Sequence, residues 1–161
     1  MLRISKLTDY ATVVMAELVQ RDGACCSAST VAEATRLEAP TVAKVLKTLA
    51  RAGLVDSVRG VNGGYRVPLP ADQISVAAII RAMEGPIALT ECGLEPGICA
   101  REHDCHLKGN WRRIGETVEL ALEALTLADL ASPRPPELKL IARSESAESV
   151  PDNRFVSREY P

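Results

Sequence analysis

Gly60, Gly63 and Gly64 crowd into the middle of two short stretches that read as β-strands, and a helical pattern stands directly before them. Leu54-Val55-Asp56-Ser57-Val58 forms the first strand, Arg59 to Gly64 a tight turn, and Tyr65-Arg66-Val67 the returning strand. Glycine accepts positive φ and lets the backbone approach a neighbour closely, so this hairpin is narrow. The helix before it is announced by Pro40, which suits a first helical turn, and runs to about Ala52. Val42, Val45, Leu46 and Leu49 share its inner face, and Gly53 stops it. A two-stranded hairpin placed straight after such a helix restricts the fold to a winged helix.

The segments upstream agree. Ser5 caps a helix to about Val19, in which Leu7, Tyr10, Ala11, Val14, Met15 and Leu18 recur at helical spacing. Asp22-Gly23 ends it. A short second helix follows the Ser27–Thr30 cluster, with Val31, Ala32 and Leu37 turned inward. Apolar residues make up 47% of the 161-residue chain, yet only five are aromatic, so the core is built from Ala, Val, Leu and Ile and favours helices. The fold class is therefore mainly α, a winged helix-turn-helix over residues 1–84.

Net charge is −2, which gives no general attraction to nucleic acid, but the distribution is uneven. Between Arg36 and Val67 six basic residues (Arg36, Lys44, Lys47, Arg51, Arg59, Arg66) face two acidic ones (Glu38, Asp56). A local basic footprint supplies phosphate contacts even in a mildly acidic protein. Thr41 and Lys44, near the start of the second helix of the pair, are candidates for base edges in the major groove, and Lys47 and Arg51 for phosphate. Arg59, with Asn62 and Gly63 of the wing turn, is placed to meet the minor groove.

The second half carries a different chemistry. Ser75 caps a helix from Val76 to about Met83, which Glu84-Gly85-Pro86 terminates. Cys92, Cys99 and Cys105 then stand in a polar segment, Thr90 to about Leu107, whose Gly, Pro, Glu and Asp content argues for an irregular loop. The amino-terminal stretch lacks the apolar run of a secretory signal, and no window approaches a membrane-spanning length, so a cytoplasmic protein is expected. There, clustered cysteines indicate metal or redox chemistry rather than structural disulfides. Three thiolates leave a tetrahedral zinc or an iron–sulfur cluster one ligand short, and His103 and His106 are the local candidates. From the residues alone, an iron–sulfur cluster, zinc and redox-active thiols all stay open. Cys25 and Cys26 read instead as a small core residue and a loop residue. No nucleophile–base pair is evident, so an enzyme such as a thiol peroxidase is disfavoured.

An amphipathic helix returns from Trp111 to Leu125, with Ile114, Val118, Leu122 and Leu125 on one stripe. Trp111 reads as a packing anchor. The stripe lacks an obvious partner within the chain and suits dimerisation, which would match a pseudo-palindromic operator on double-stranded DNA. Thr126 to Leu130 adds a short turn. Residues 85–131 thus form a cluster-binding loop and dimerisation helix, and residues 132–161, without periodicity, a disordered tail.

The stretches M-L-R-I-S-K-L-T-D-Y-A, S-V-R-G-V-N-G-G-Y and E-G-P-I-A-L-T-E-C, with the cysteine trio and Trp111, resemble the bacterial IscR/NsrR family over about residues 1–131. These are winged-helix transcription regulators that carry an iron–sulfur cluster, and the similarity is greatest to the subgroup controlling the SUF cluster-assembly operon. The resemblance implies that Cys92, Cys99 and Cys105 bind a two-iron (2Fe-2S) or four-iron (4Fe-4S) cluster. One branch supplies a histidine three residues after the third cysteine, where this chain has Lys108. The other uses an aspartate on the first helix of the opposite subunit, and the matching residue is Asp9. The expected function is that of a homodimeric repressor of iron–sulfur assembly genes. A nitric-oxide or redox-responsive regulator of the same fold, or a zinc or thiol-based DNA-binding protein, is the alternative.

Overall fold

A computed structural model describes residues 3–60, 63–94, 97–100 and 103–132, with the backbone alone at Cys92. Asn62 and the expected tail from 133 onward lie outside the described residues. Seven helices and one hairpin follow in the order α1 (Lys6–Val19), α2 (Ala28–Thr35), α3 (Ala39–Arg51), β1 (Asp56–Val58), β2 (Gly64–Arg66), α4 (Val76–Glu84), α5 (Glu91–Leu94), α6 (Lys108–Glu123) and α7 (Leu127–Ala131) among those residues. A single 3-10 turn, Ala71–Gln73, leads into α4.

The core forms where the apolar faces of α1, α2 and α3 meet. Ala11, Val14 and Met15 of α1 are fully buried, as are Val31 of α2 and Val42, Val45, Leu46 and Leu49 of α3. Side chains three and four positions apart stack on one face of a helix, which is why these sets share one interior. Ser5 and Ser27 cap α1 and α2 by accepting the Thr8 and Thr30 amides. Pro40 lies in the first turn of α3, where its missing N–H leaves no helical bond unmade. Ile74 and Ile79 close the core from the α4 side, and Leu127 of α7 returns to the same cluster with no exposed surface. That return is fixed by two backbone bonds, Val76 N–H to the Leu125 carbonyl and Leu127 N–H to the Ile74 carbonyl, both 2.8 Å.

The hairpin pairs antiparallel, with Asp56 opposite Arg66, Ser57 opposite Tyr65 and Val58 opposite Gly64. It is shorter at its outer ends than the sequence reading, because Val55 leaves the ladder to enter the core. On its other edge Cys26 and Tyr65 exchange N–H···O bonds of 3.0 and 2.8 Å, so the α1–α2 loop acts as a third partner. Cys26 is buried and Cys25 half-buried, in keeping with a core and a loop role.

Two expectations need correction. The cysteine segment is not wholly irregular: Glu91–Leu94 makes one helical turn, α5, where the Thr90 carbonyl accepts the Gly93 amide at 2.9 Å. The residues after Leu125 form a helix rather than a plain turn. Thr126 and Asp129 build a reciprocal capping box there, the carboxylate accepting the Thr126 amide at 2.8 Å while the hydroxyl accepts the Asp129 amide at 3.2 Å.

α6 begins at Lys108, three residues before the sequence reading, and docks on α4 and α5. Arg81 of α4 spans to it, donating to Glu119 at 2.6 Å and to Glu123. The Ser75 hydroxyl first, and the Arg81 guanidinium second, hold the Glu123 carboxyl below its ordinary 4.5. A depressed folded pKa contributes stability that is present above 4.5 and lost as pH falls through the lowered value. The midpoint of thermal unfolding, followed from neutral pH downward, should therefore decline on the acid side, and Glu123→Gln should flatten that decline. Parallel profiles for the two proteins would contradict this account of α6 docking. A second outcome follows from Arg36, which closes α2 at φ +56°, a left-handed conformation costly for a side chain with a Cβ. Arg36→Gly should raise unfolding stability by about 1 kcal/mol in a denaturant titration.

Candidate nucleic-acid interface and thiol segment

The buried face of α3 dictates what its other face presents. With Val42, Val45, Leu46 and Leu49 inward, Lys44, Lys47 and Arg51 are exposed and Thr41 is half-buried at the amino-terminal end. Arg36 and Arg59 are exposed on either side in sequence. Arg66 is held in an exposed pair with Asp56 at 3.3 Å, which removes one of the six basic residues from the free set.

Glycine is required at the wing for steric reasons. A Cβ on Gly63 would lie 2.3 Å from the Val58 carbonyl oxygen, and one on Gly64 2.4 Å from that of Cys26. Gly60 adopts φ +116°, and its carbonyl accepts the Gly63 amide at 2.9 Å. Gly60 and Gly63 are thus joined through their backbones, and Gly64 at the start of β2 lies close against Cys26 of the α1–α2 loop. Arg59 and Gly63 sit on the wing turn; Asn62 lies outside the described residues.

The thiol segment runs from α5 to the start of α6. Cys99 and Cys105 are free thiols, each half-buried, and Cys92 lies on α5. His103 and His106 are exposed. Asp9 is exposed in the first turn of α1, a position that suits a carboxylate at the positive end of the helix dipole. Among the described residues, no three His, Cys, Asp or Glu side chains converge to hold a metal ion. One protomer therefore does not gather Asp9, His103 or His106 with Cys99 and Cys105 into a set of three; the Cys92 side chain is outside this description.

Two features escaped the sequence reading. The first is the junction of α1 with α4. Thr8 is fully buried, and its hydroxyl donates to Glu84 Oε1 at 2.6 Å. The same oxygen accepts the Ser5 amide at 2.8 Å. These bonds, the Thr8 hydroxyl foremost, hold the Glu84 carboxyl below its ordinary value. Nothing in a linear pattern pairs positions 76 to 79 residues apart. The second is a pair of neighbouring open clefts. One, of about 480 Å³, is lined by Thr8, Asp9, Thr12 and Leu130, and the other, of about 360 Å³, by Glu84, Pro86, Ile87, Val118 and Leu122. Arg3, Ile4 and Ile80 belong to both. Beside them α6 leaves apolar surface uncovered: Trp111, Ile114 and Leu120 are 44%, 47% and 59% exposed. Trp111 is thus not a packing anchor within the single chain.

Comparison with known proteins bears on both regions. The model of the Rrf2 family, described as an iron-dependent transcriptional regulator, matches residues 4–133. The structure of CymR (YrzC), the global cysteine regulator of B. subtilis, is similar at 32% identity and a TM-score of 0.62, over 81% of this chain and 97% of that one. IscR of T. potens is similar at 30% identity and a TM-score of 0.59, over 80% and 85%. An oxidized form of Staphylococcus aureus CymR matches at 30% identity and a TM-score of 0.60, over 84% and 100%. No helix among the described residues is long and apolar enough to cross a membrane.

The exposed face of α3 generates a graded outcome in DNA-binding assays. Lys44→Ala should relax base preference at one operator position, with a loss of about 1–3 kcal/mol there. Lys47→Ala and Arg51→Ala should weaken binding evenly across sequences, each lowering the salt slope by about 1. The reverse assignment would show as an unchanged salt slope for the latter two.

Proposed function

This chain belongs to the Rrf2 family of transcription regulators, and we propose that it senses iron–sulfur cluster status to control, as a repressor, the genes of cluster assembly. It is a winged-helix DNA-binding regulator and not an enzyme, of a family whose members typically act as dimers. The sensing role rests chiefly on the free, half-buried thiols of Cys99 and Cys105 in a short segment that α5 and α6 flank.

The donor set fits an iron–sulfur cluster. Soft thiolates are its usual ligands, and Cys92, Cys99 and Cys105 supply three from one segment. For the remaining place we propose Asp9 of the partner subunit, the aspartate on the first helix that the family resemblance points to; it is exposed and lines an open cleft. The uncovered apolar residues of α6 and the cleft at Asp9 support a homodimer in which the first helix meets the neighbouring chain. A bound cluster supplies a group whose presence depends on iron, oxygen or nitric oxide. The protein's own part is mechanical. A carboxylate on α1 that serves another protomer's cysteines links the dimer interface to the helix against which α2 and α3 pack. Occupancy then favours one dimer geometry by as much as it binds the two geometries differently, and the pseudo-palindromic operator reads that geometry.

A second reading is favoured by the likeness to CymR, a cysteine regulator. In it the same thiols respond to cysteine or oxidant without metal. The two separate cleanly. Protein purified without oxygen should be coloured and hold iron and acid-labile sulfide in equal amounts, and Cys99→Ser should lose both. Colourless protein with stoichiometric zinc, or with no metal and a reversible disulfide, would contradict the cluster reading.

A further inference from the structure

We propose that Glu84 is a positioning residue: by taking the Ser5 amide and the Thr8 hydroxyl on one carboxylate oxygen, it ties the start of α1 to the place where the chain leaves α4 for the cysteines. The inference deepens the cluster reading above and rests on it.

The geometry makes this a junction with few alternatives. Thr8 Oγ1 donates to Glu84, so the 3.0 Å contact between the Ser5 and Thr8 hydroxyls has Ser5 as donor. Ser5 Oγ in turn accepts the Thr8 amide at 3.2 Å. The N-cap of α1 is thereby completed by a residue from another helix. Bonds to an ionised acceptor are the stronger kind, and the Thr8 hydroxyl has no water to replace it, being fully buried. Position 84 is the last residue of α4. Gly85 follows at φ +90°, a conformation that turns the chain sharply, and Pro86 stiffens the exit. α5, which carries Cys92, begins five residues later at Glu91.

Asp9 stands next to Thr8 and opens on the larger cleft, while Glu84 and the residues that follow it, Gly85 to Leu89, line the smaller. The Glu84–Thr8 bond therefore connects these adjoining clefts. A pull on the cysteine segment reaches α1 through this carboxylate, and a shift of α1 moves Asp9 together with the helix that supports α2 and α3. Without the carboxylate the two ends move independently, and cluster occupancy no longer alters operator affinity.

The test uses full-length protein and compares operator affinity with the cluster reconstituted and after its removal. The wild-type ratio of the two affinities should be on the order of tenfold or more in one direction. Glu84→Ala and Thr8→Val should each bring it to within about twofold of unity, and the double variant should lose no more than either alone. Glu84→Gln keeps the accepting carbonyl oxygen and should restore most of the ratio. Amide exchange at Thr8 and Asp9 should quicken in Glu84→Ala and Thr8→Val but not in Glu84→Gln. Thr8→Val carries the test if Glu84→Ala does not fold. A wild-type ratio preserved in Thr8→Val, or exchange unchanged at Thr8 and Asp9, overturns the positioning role while leaving the cluster reading intact. Wild-type protein that takes up no iron and sulfide overturns the cluster reading itself, and the coupling with it.

Discussion

Burial of one face of α1 is the interaction on which the rest of the molecule depends. Ala11, Val14, Met15 and Leu18 leave that helix almost no exposed apolar surface on its inner side, and α2, α3, α4 and α7 all pack against it. Because interiors are close-packed, a helix in that position cannot shift without its neighbours shifting too. The basic face of α3 is outward only because Val42, Val45, Leu46 and Leu49 are held inward against this core. The same helix exposes Asp9 in its first turn. Packing, DNA recognition and the proposed ligand are therefore carried by opposite faces of connected helices.

The parts of this architecture that depend on local chemistry were legible in the sequence. The helical spacing of α1 to α4, the serine caps, Pro40 in the first turn of α3 and the glycines of the wing all report conformation within a few residues of themselves. So did the basic face of α3, which follows once its apolar face is known. The contacts that no local pattern reports are made by partners distant in sequence. Tyr65 exchanges backbone bonds with Cys26, Arg81 reaches Glu119 and Glu123, and Glu84 takes the start of α1. None has a periodicity to betray it. Thr126 and Asp129 are different, for their S/T-x-x-D/E spacing is local and announces the cap of α7 within the sequence itself. By contrast, α5 is one turn long, too short for apolar periodicity to register.

The candidate site divides along the same line. The cysteines announce themselves by their chemistry, and the resemblance to a family adds Asp9. A single chain does not bring that aspartate to Cys99 and Cys105 as a set of three, and it leaves Trp111 and Ile114 of α6 uncovered. The uncovered residues suit a second copy of the chain, which in the proposed dimer would supply Asp9 from its own first helix. α6 packs on α4 and α5 and is tied to α4 by Arg81, while Trp111, Ile114 and Leu120 stay exposed along it.

The central claim is that the site is completed across the dimer. It is tested most directly by co-producing two differently tagged chains, one Asp9→Ala, the other with Cys92, Cys99 and Cys105 all replaced by serine, and isolating the mixed dimer without oxygen. Ligation across the interface leaves the intact cysteines facing the intact Asp9, so the mixed dimer should hold a cluster with wild-type spectrum and wild-type resistance to a chelator. Ligation within a chain leaves no complete site in either half. A mixed dimer whose cluster is lost as fast as that of the Asp9→Ala homodimer would contradict the account.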